Sequence, residues 1–204
     1  MTRRITVHVV DDDAAVRDSL CLLLRLHGYL PRPHVSGEAF LEDLDDAAPA
    51  AIVLLDLRMP GMSGSDVQSA LVARKLAWPV IMLTAHGDAA SARNALKAGA
   101  CDFIEKPVDD AVLLAAIETA AAEAEAVDAT AARRAETERR LARLTPRERE
   151  VLAMVVDGRH NREVAQALGI SPRTVEVYKA RLMDKLDVER LPDLIRLSLD
   201  AKLE

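Results

Sequence analysis

Through the first 119 residues, short runs of apolar and β-branched residues alternate with longer stretches of helical periodicity. Strands are predicted at ITVHVV (5–10), weakly at 29–34, and at AIVLL (51–55), PVIML (79–83) and CDFI (101–104). Helical patterns fall between them at 14–27, 37–44, 64–76 and 88–98, and another begins near Asp109. Five strands alternating with five helices predict an α/β domain with a parallel sheet covered on both faces. The near-continuous apolarity of the first, third and fourth strands fits burial on two sides. In such a sheet, ligands bind beyond the carboxyl ends of the strands, at the point where strand order reverses.

Beyond residue 109 the pattern changes twice. Residues 110–143 form an Ala-, Glu- and Arg-rich stretch without Gly or Pro, which predicts a long helix. Its second half is charged on most faces, with Glu136 spaced to pair with Arg139 and Arg140, and reads as a solvated helical linker. An a/d register through Ile117, Ala121, Ala124, Asp128, Ala131 and Ala135 is too small and polar for a coiled coil. From Leu144 the chain breaks into short helices with sharp punctuation. Thr145 and Pro146 start one, which Gly158 ends. Asn161 starts a second, stopped by Gly169, and Ser171 with Pro172 starts a third. A last helix follows Pro192. The predicted segments are 1–119, a linker over 120–143, and a small all-α domain over 144–204.

Composition narrows the class. At 204 residues with half of them apolar, the chain supports two ordinary domains and real cores. No apolar run approaches the roughly 18 residues needed to span a bilayer, and the amino terminus reads as a first strand and not as a signal peptide. Two cysteines, Cys21 and Cys101, fit apolar positions, which suits buried thiols in a reducing cytoplasm. The net charge of −6 comes entirely from residues 1–119, where 17 acids face 11 bases. The last 60 residues are balanced, with clustered bases, which permits nucleic acid but argues against strong nonspecific binding.

The polar residues at the predicted strand ends carry the chemistry. VVDDD ends at Asp11–Asp13, AIVLLD at Asp56, VIMLT at Thr84, and CDFIEKP carries Lys106 before Pro107. Asp11, Asp12 and Asp56 gathered at one sheet edge repel each other and call for a cation, and hard oxygen ligands select Mg²⁺ or a similar ion. One carboxylate can then act as a nucleophile towards a phosphoryl group. Lys106 and the metal would neutralise the phosphoryl oxygens, and Thr84 would donate a hydrogen bond to them. Asp13 serves equally well as a helix cap.

NREVAQALGISPRTVEVYKARLMDKL reads as helix, tight turn and helix, the length of a helix-turn-helix. On its second helix Val175, Leu182 and Leu186 form an apolar stripe with Tyr178 at the margin. Arg173, Thr174, Glu176, Val177, Ala180 and Asp184 lie away from that stripe. Small and apolar groups among polar ones suit entry into a major groove, with Lys179, Arg181 and Lys185 holding phosphates.

VVDDD, LLDLRMPGMSG, VIMLTA and AGACDFIEKP together resemble the receiver domain of two-component response regulators. LTPREREVL followed by ISPRTVEVYKARLMDKL resembles the LuxR-type DNA-binding domain, so the pair is similar to response regulators of the FixJ/NarL group. The resemblance implies a flavodoxin-like five-stranded receiver, Asp56 as phosphoacceptor, and Asp11, Asp12 and the backbone carbonyl of Arg58 as further ligands of Mg²⁺. It implies Thr84 and Lys106 as phosphoryl sensors, Phe103 as the switch aromatic, and a cis bond before Pro107. The resemblance also implies that Arg58 and His86 occupy positions that tune the lifetime of the phosphoryl group. A sensor histidine kinase would be the donor, docking on helix 14–27 around Val16, Arg17 and Leu20. The output would be phosphorylation-driven homodimerisation, binding of double-stranded promoter DNA and contact with RNA polymerase, in the cytoplasm, with activation favoured over repression. Tyr178 and His160 depart from the usual residues of the LuxR-type pattern. Two other readings are a Mg²⁺-dependent phosphohydrolase and a phosphorylation-independent DNA-binding regulator. Arg58 stands where such a hydrolase wants a second acid, so no catalytic residue is assigned.

Overall fold

The computed structural model describes residues 5–84 and 99–200. His86 and the helix expected at 88–98 lie outside the described residues. The chain divides into two compact units, Met1–Ala129 and Thr130–Glu204.

The first unit holds five parallel strands, β1 (Thr6–Val10), β2 (Leu30–His34), β3 (Ile52–Asp56), β4 (Val80–Thr84) and β5 (Asp102–Glu105), in the order β2-β1-β3-β4-β5. Successive residues of the central strands feed opposite faces. Val53, Leu55, Val80 and Met82 pack with Phe40, Val67, Leu71 and Trp78, from α2 (Gly37–Glu42), α3 (Gly64–Ala73) and the segment before β4. Ile52, Leu54, Ile81 and Leu83 pack with Leu20 and Leu24 of α1 (Ala14–Leu26) and Leu113 and Ile117 of α4 (Asp110–Ala142). A fully buried Leu or Ile contributes about 1.5–3 kcal/mol, so this two-sided burial dictates the apolar runs. The fold is the flavodoxin-like one.

The edge strand β2 reads LPRPH. The Leu30 amide donates to the Ile5 carbonyl, so the amides of Leu30, Arg32 and His34 face β1. The residues whose amides would point outward are Pro31 and Pro33, which have none. The exposed edge therefore lacks the donors that a foreign strand would pair with.

α4 is one helix of 33 residues. Its start packs on the first unit through Ala120 and Ala124, and Asp128 accepts the Ala50 amide at 2.6 Å. Residues 129–135 are exposed, as a solvated helix requires. Farther on, Glu136 pairs with Arg139 and Arg140 at 2.8 and 2.9 Å, and Leu141 joins the second unit's core. That core also gathers residues from α5 (Pro146–Val156), α6 (Asn161–Leu168), α7 (Pro172–Leu186) and α8 (Leu191–Asp200). Cys21 is buried in α1, whereas Cys101 stands just before β5 and is half-buried.

On the α2/α3 face, His8 stacks between His34 and Trp78, with ring centroids 5.1 and 5.5 Å away, and Phe40 meets both imidazoles edge-on. His8 Nδ1 lies 2.9 Å from His34 Nε2, an approach that a single shared proton satisfies. Burial, then the charge of His34, lowers the His8 pKa to about 4, and burial also lowers that of His34, with Asp43 opposing both shifts. The folded state disfavours the charged form of both rings, and for His8, between about pH 6.5 and about 4, the unfolded chain binds a proton that the folded chain refuses. Stability is lost as pH falls through that window.

Two outcomes follow. Melting of the first unit, monitored by the fluorescence of Trp78, the chain's single tryptophan, falls steeply from pH 6.5 to 4, and the double change His8→Leu, His34→Leu flattens that slope. An identical slope in the variant assigns the acid sensitivity elsewhere. Restoring the outward amides with Pro31→Thr and Pro33→Thr produces concentration-dependent association in light scattering, and unchanged scattering contradicts the edge-protection role.

Candidate functional site

Strand order reverses between β1 and β3, and the acids predicted at their ends meet there. Asp11 is fully buried, Asp56 is 7% exposed, and Asp12 is exposed. One ligand oxygen from each lies within 4.8 Å of the others. Asp11 is oriented by the Asp13 amide at 2.9 Å, and Asp56 Oδ1 by the Arg58 amide at 3.2 Å. Asp13 caps α1 by accepting from the amides of Ala15 and Val16.

Lys106 Nζ donates to Asp11 Oδ2 at 2.7 Å and to Asp56 Oδ2 at 2.9 Å, so one ammonium bridges the two buried carboxylates. It is delivered by the end of β5, where its amide donates to the Thr84 carbonyl at 2.8 Å and its bond to Pro107 is cis. Thr84 is buried at the end of β4, and Phe103 stands 41% exposed on β5. Burial, aided by the charge of Asp11, raises the Asp56 pKa, against the pull of Lys106 and the Arg58 amide. Burial works against the Lys106 ammonium, but its bonds to Asp11 and Asp56 outweigh that and raise its pKa. One lysine against three clustered carboxylates leaves an excess of negative charge lined by hard oxygens, which fits a divalent cation of the Mg²⁺ type.

Two contacts here had no signal in the sequence. Arg17 of α1 turns back to donate to the Asp11 carbonyl at 2.7 Å, so its guanidinium supports the site as well as lining the helix surface. Glu38 of α2 accepts the Met62 amide at 2.8 Å, from the loop that follows Asp56.

In the second unit, α6, the turn at Gly169 and α7 form the predicted helix-turn-helix. Ser171 caps α7 by accepting the Thr174 amide at 3.1 Å. Val175, Leu182 and Leu186 are buried, Tyr178 packs beside them, and Arg173, Glu176, Val177, Ala180, Arg181 and Asp184 are exposed. Among the described residues, Arg173 and Arg181 form no ion pair. The two lysines differ. Lys179 Nζ donates to Asn161 Oδ1 at 2.5 Å, and Lys185 Nζ donates to the buried Glu148 at 2.8 Å. Glu148 also closes a capping box with Thr145, and its pKa is lowered first by Lys185 and then by the Thr145 amide. The TPRE sequence carried the signal for this box, but its reach to α7 was not legible. Arg140 donates to the Leu186 carbonyl at the end of α7.

Residues 7–118 match the family described as response regulator receiver domain, and residues 142–198 the family described as bacterial regulatory proteins, luxR family. The chain is 43% identical to the transcriptional regulatory protein FixJ of Azorhizobium caulinodans, over 98% of this chain and 95% of that protein. It is 46% identical to FixJ of Rhizobium meliloti, over 95% of each. Among solved structures, the response regulator StyR aligns with a TM-score of 0.82 at 36% identity, covering 97% of this chain and 99% of that one. Full-length FixJ from B. japonicum aligns with a TM-score of 0.60 at 38% identity over all of both chains.

The engagement of Lys185 separates two roles. As an internal strut, Lys185→Ala lowers the stability of the second unit by about 1–2 kcal/mol, by leaving buried Glu148 short of a donor, and leaves the salt dependence of DNA binding unchanged. A salt slope reduced by about one, with unchanged melting, makes Lys185 a phosphate contact instead.

Proposed function

Since the chain belongs to the response-regulator family, with a receiver domain and a LuxR-type DNA-binding domain as in FixJ, we propose that phosphorylation of Asp56 by a sensor histidine kinase switches it as a transcriptional activator. The observation that carries this reading is the bridging of Asp11 and Asp56 by Lys106 at the strand-order switch point. It leaves a nucleophilic carboxylate beside a cation and two further acids.

In the proposed step an Asp56 oxygen attacks the phosphorus of the phosphohistidine. The P–N bond breaks, and the histidine nitrogen leaves with its electron pair. Asp11, Asp12, Asp56 and the Arg58 carbonyl would hold Mg²⁺, which when bound supplies charge neutralisation on the phosphoryl oxygens. Lys106 is placed to exchange its bond with Asp56 for one to the new phosphoryl group, and Thr84 to donate to it. Phe103, exposed on the neighbouring strand, would follow Thr84 inward.

A cavity of about 340 Å³ beside α1, lined by Val16, Ser19, Leu20, Leu23, Pro107 and Val108 among others, supports docking of the kinase on this face. The functional segments would be 1–119 as receiver, 120–143 as linker and 144–204 as DNA-binding domain. Two phosphorylated receivers would pair and present two helix-turn-helix units to half-sites related by a two-fold axis. Arg173, Thr174, Glu176, Val177 and Ala180 would face the major groove. Lys179, Arg181 and Lys185 are the candidate phosphate ligands, and of these Lys185 is held by the buried Glu148. RNA polymerase would be the downstream partner, in the cytoplasm. No helix among the described residues is long and apolar enough to cross a membrane.

With Mg²⁺ and either acetyl phosphate or beryllofluoride, the wild-type chain should shift from monomer to dimer on sizing and bind promoter DNA more tightly. Asp56→Asn should do neither while keeping its fold. A variant that dimerises and binds DNA as the wild type does removes the switch.

A further inference from the structure

The loop from Leu57 to Ser63 runs from the phosphoacceptor to α3, and its two ends are held by backbone. The Leu57 amide donates to the Leu83 carbonyl at 2.8 Å, and the Gly64 amide donates to the Leu57 carbonyl at 3.1 Å. Just before its second end, the loop is also held by a side chain from another element. Glu38 Oε1, on the first turn of α2, accepts the Met62 amide at 2.8 Å.

Two glycines fit this contact. Gly61 has φ of +77°, and a Cβ there would lie 2.6 Å from the same Glu38 Oε1. Gly37 lets α2 press against its neighbours, since a Cβ there would lie 2.5 Å from Val67 Cγ2 and 3.3 Å from Met62 Cβ. The start of α2 is thus held close to α3 and the loop, and the Glu38 carboxylate accepts from its own amide and from Ser36 as well as from the Met62 amide. The same loop carries Arg58, whose amide orients Asp56 Oδ1.

We propose that Glu38 is a positioning residue for phosphoryl transfer: it latches the loop so that the Arg58 amide and carbonyl are presented to Asp56 and its cation. This rests on the reading of Asp56 as phosphoacceptor with Mg²⁺. Residues that orient a metal's ligands commonly govern affinity as much as the ligands do. The competing role for an acid in a helix's first turn is interaction with the helix dipole, and the two roles make opposite demands. The latch needs an acceptor at full side-chain length, and the dipole needs a negative charge.

Glu38→Gln keeps length and acceptor but loses charge, whereas Glu38→Asp keeps charge but is one methylene too short. Two readouts apply to the full chain. The first is hydrogen exchange of the Met62 amide without metal. The second is the Mg²⁺ concentration giving half-maximal phosphorylation by acetyl phosphate. The latch predicts that Glu38→Ala and Glu38→Asp deprotect the Met62 amide and raise the half-saturating Mg²⁺ about three- to tenfold, the worth of one hydrogen bond, with Glu38→Gln staying within about twofold of wild type. Gly61→Ala, which displaces the carboxylate, should add little to Glu38→Ala in a double-mutant cycle. Glu38→Asp behaving as wild type while Glu38→Gln behaves as Glu38→Ala overturns the latch in favour of the dipole, and four indistinguishable proteins overturn it outright. Failure of the underlying reading looks different: wild type and Asp56→Asn would then take up phosphoryl groups equally, or wild type would need no Mg²⁺.

Discussion

Two carboxylates buried side by side at the end of a sheet are the constraint on which the first unit turns. Asp11 and Asp56 are taken out of water at the ends of adjacent strands, and burial, aided by the charge of Asp11, pushes the Asp56 pKa up. Lys106 makes the arrangement tolerable, and it comes from β5, two strands away from β3 in the sheet. Its amide is simultaneously tied to the Thr84 carbonyl. The ends of β1, β3, β4 and β5 therefore share one electrostatic balance, and a charge added at Asp56 acts on all of them at once. On the proposed reading of Asp56 as phosphoacceptor, this shared balance would carry a local covalent event to the far side of the sheet.

The second unit also buries an acid and satisfies it with a lysine, yet to a different end. Glu148 accepts from the Thr145 amide and from Lys185, so the start of α5 and the last turn of α7 are joined. Arg140 reaches the same turn of α7 through the Leu186 carbonyl. Here the donors close around the acid, whereas at Asp11, Asp12 and Asp56 one carboxylate remains exposed and the set stays open to a cation. Similar side chains make a closed strut in one unit and an open acidic cluster in the other, because of what is left accessible.

Much of the site was legible because its residues sit at strand ends. Asp56 closes an apolar run, Thr84 closes the next, and Lys106 precedes a proline, so alternation alone placed them at one sheet edge. The weak strand near 29–34 was hard to read because an edge strand needs burial on one side only, and its two prolines mimic a loop. Contacts such as Glu38 with Met62, Arg17 with the Asp11 carbonyl, and Lys185 with Glu148 left no local trace. Each links positions whose spacing follows no helical or strand period, except Arg17, whose backward turn depends on where α1 packs.

The sequence by itself determined the element types, the parallel sheet, the acidic cluster and the helix-turn-helix, because periodicity, capping residues and strand-end polarity are local properties. The tertiary structure alone decided which charges are spent on one another. Lys106 is committed to two acids and Lys185 to one, while Arg173 and Arg181 form no ion pair among the described residues. Only packing fixes those distances, and the energy of a charge depends on its distance from the next one and on how much water lies between them.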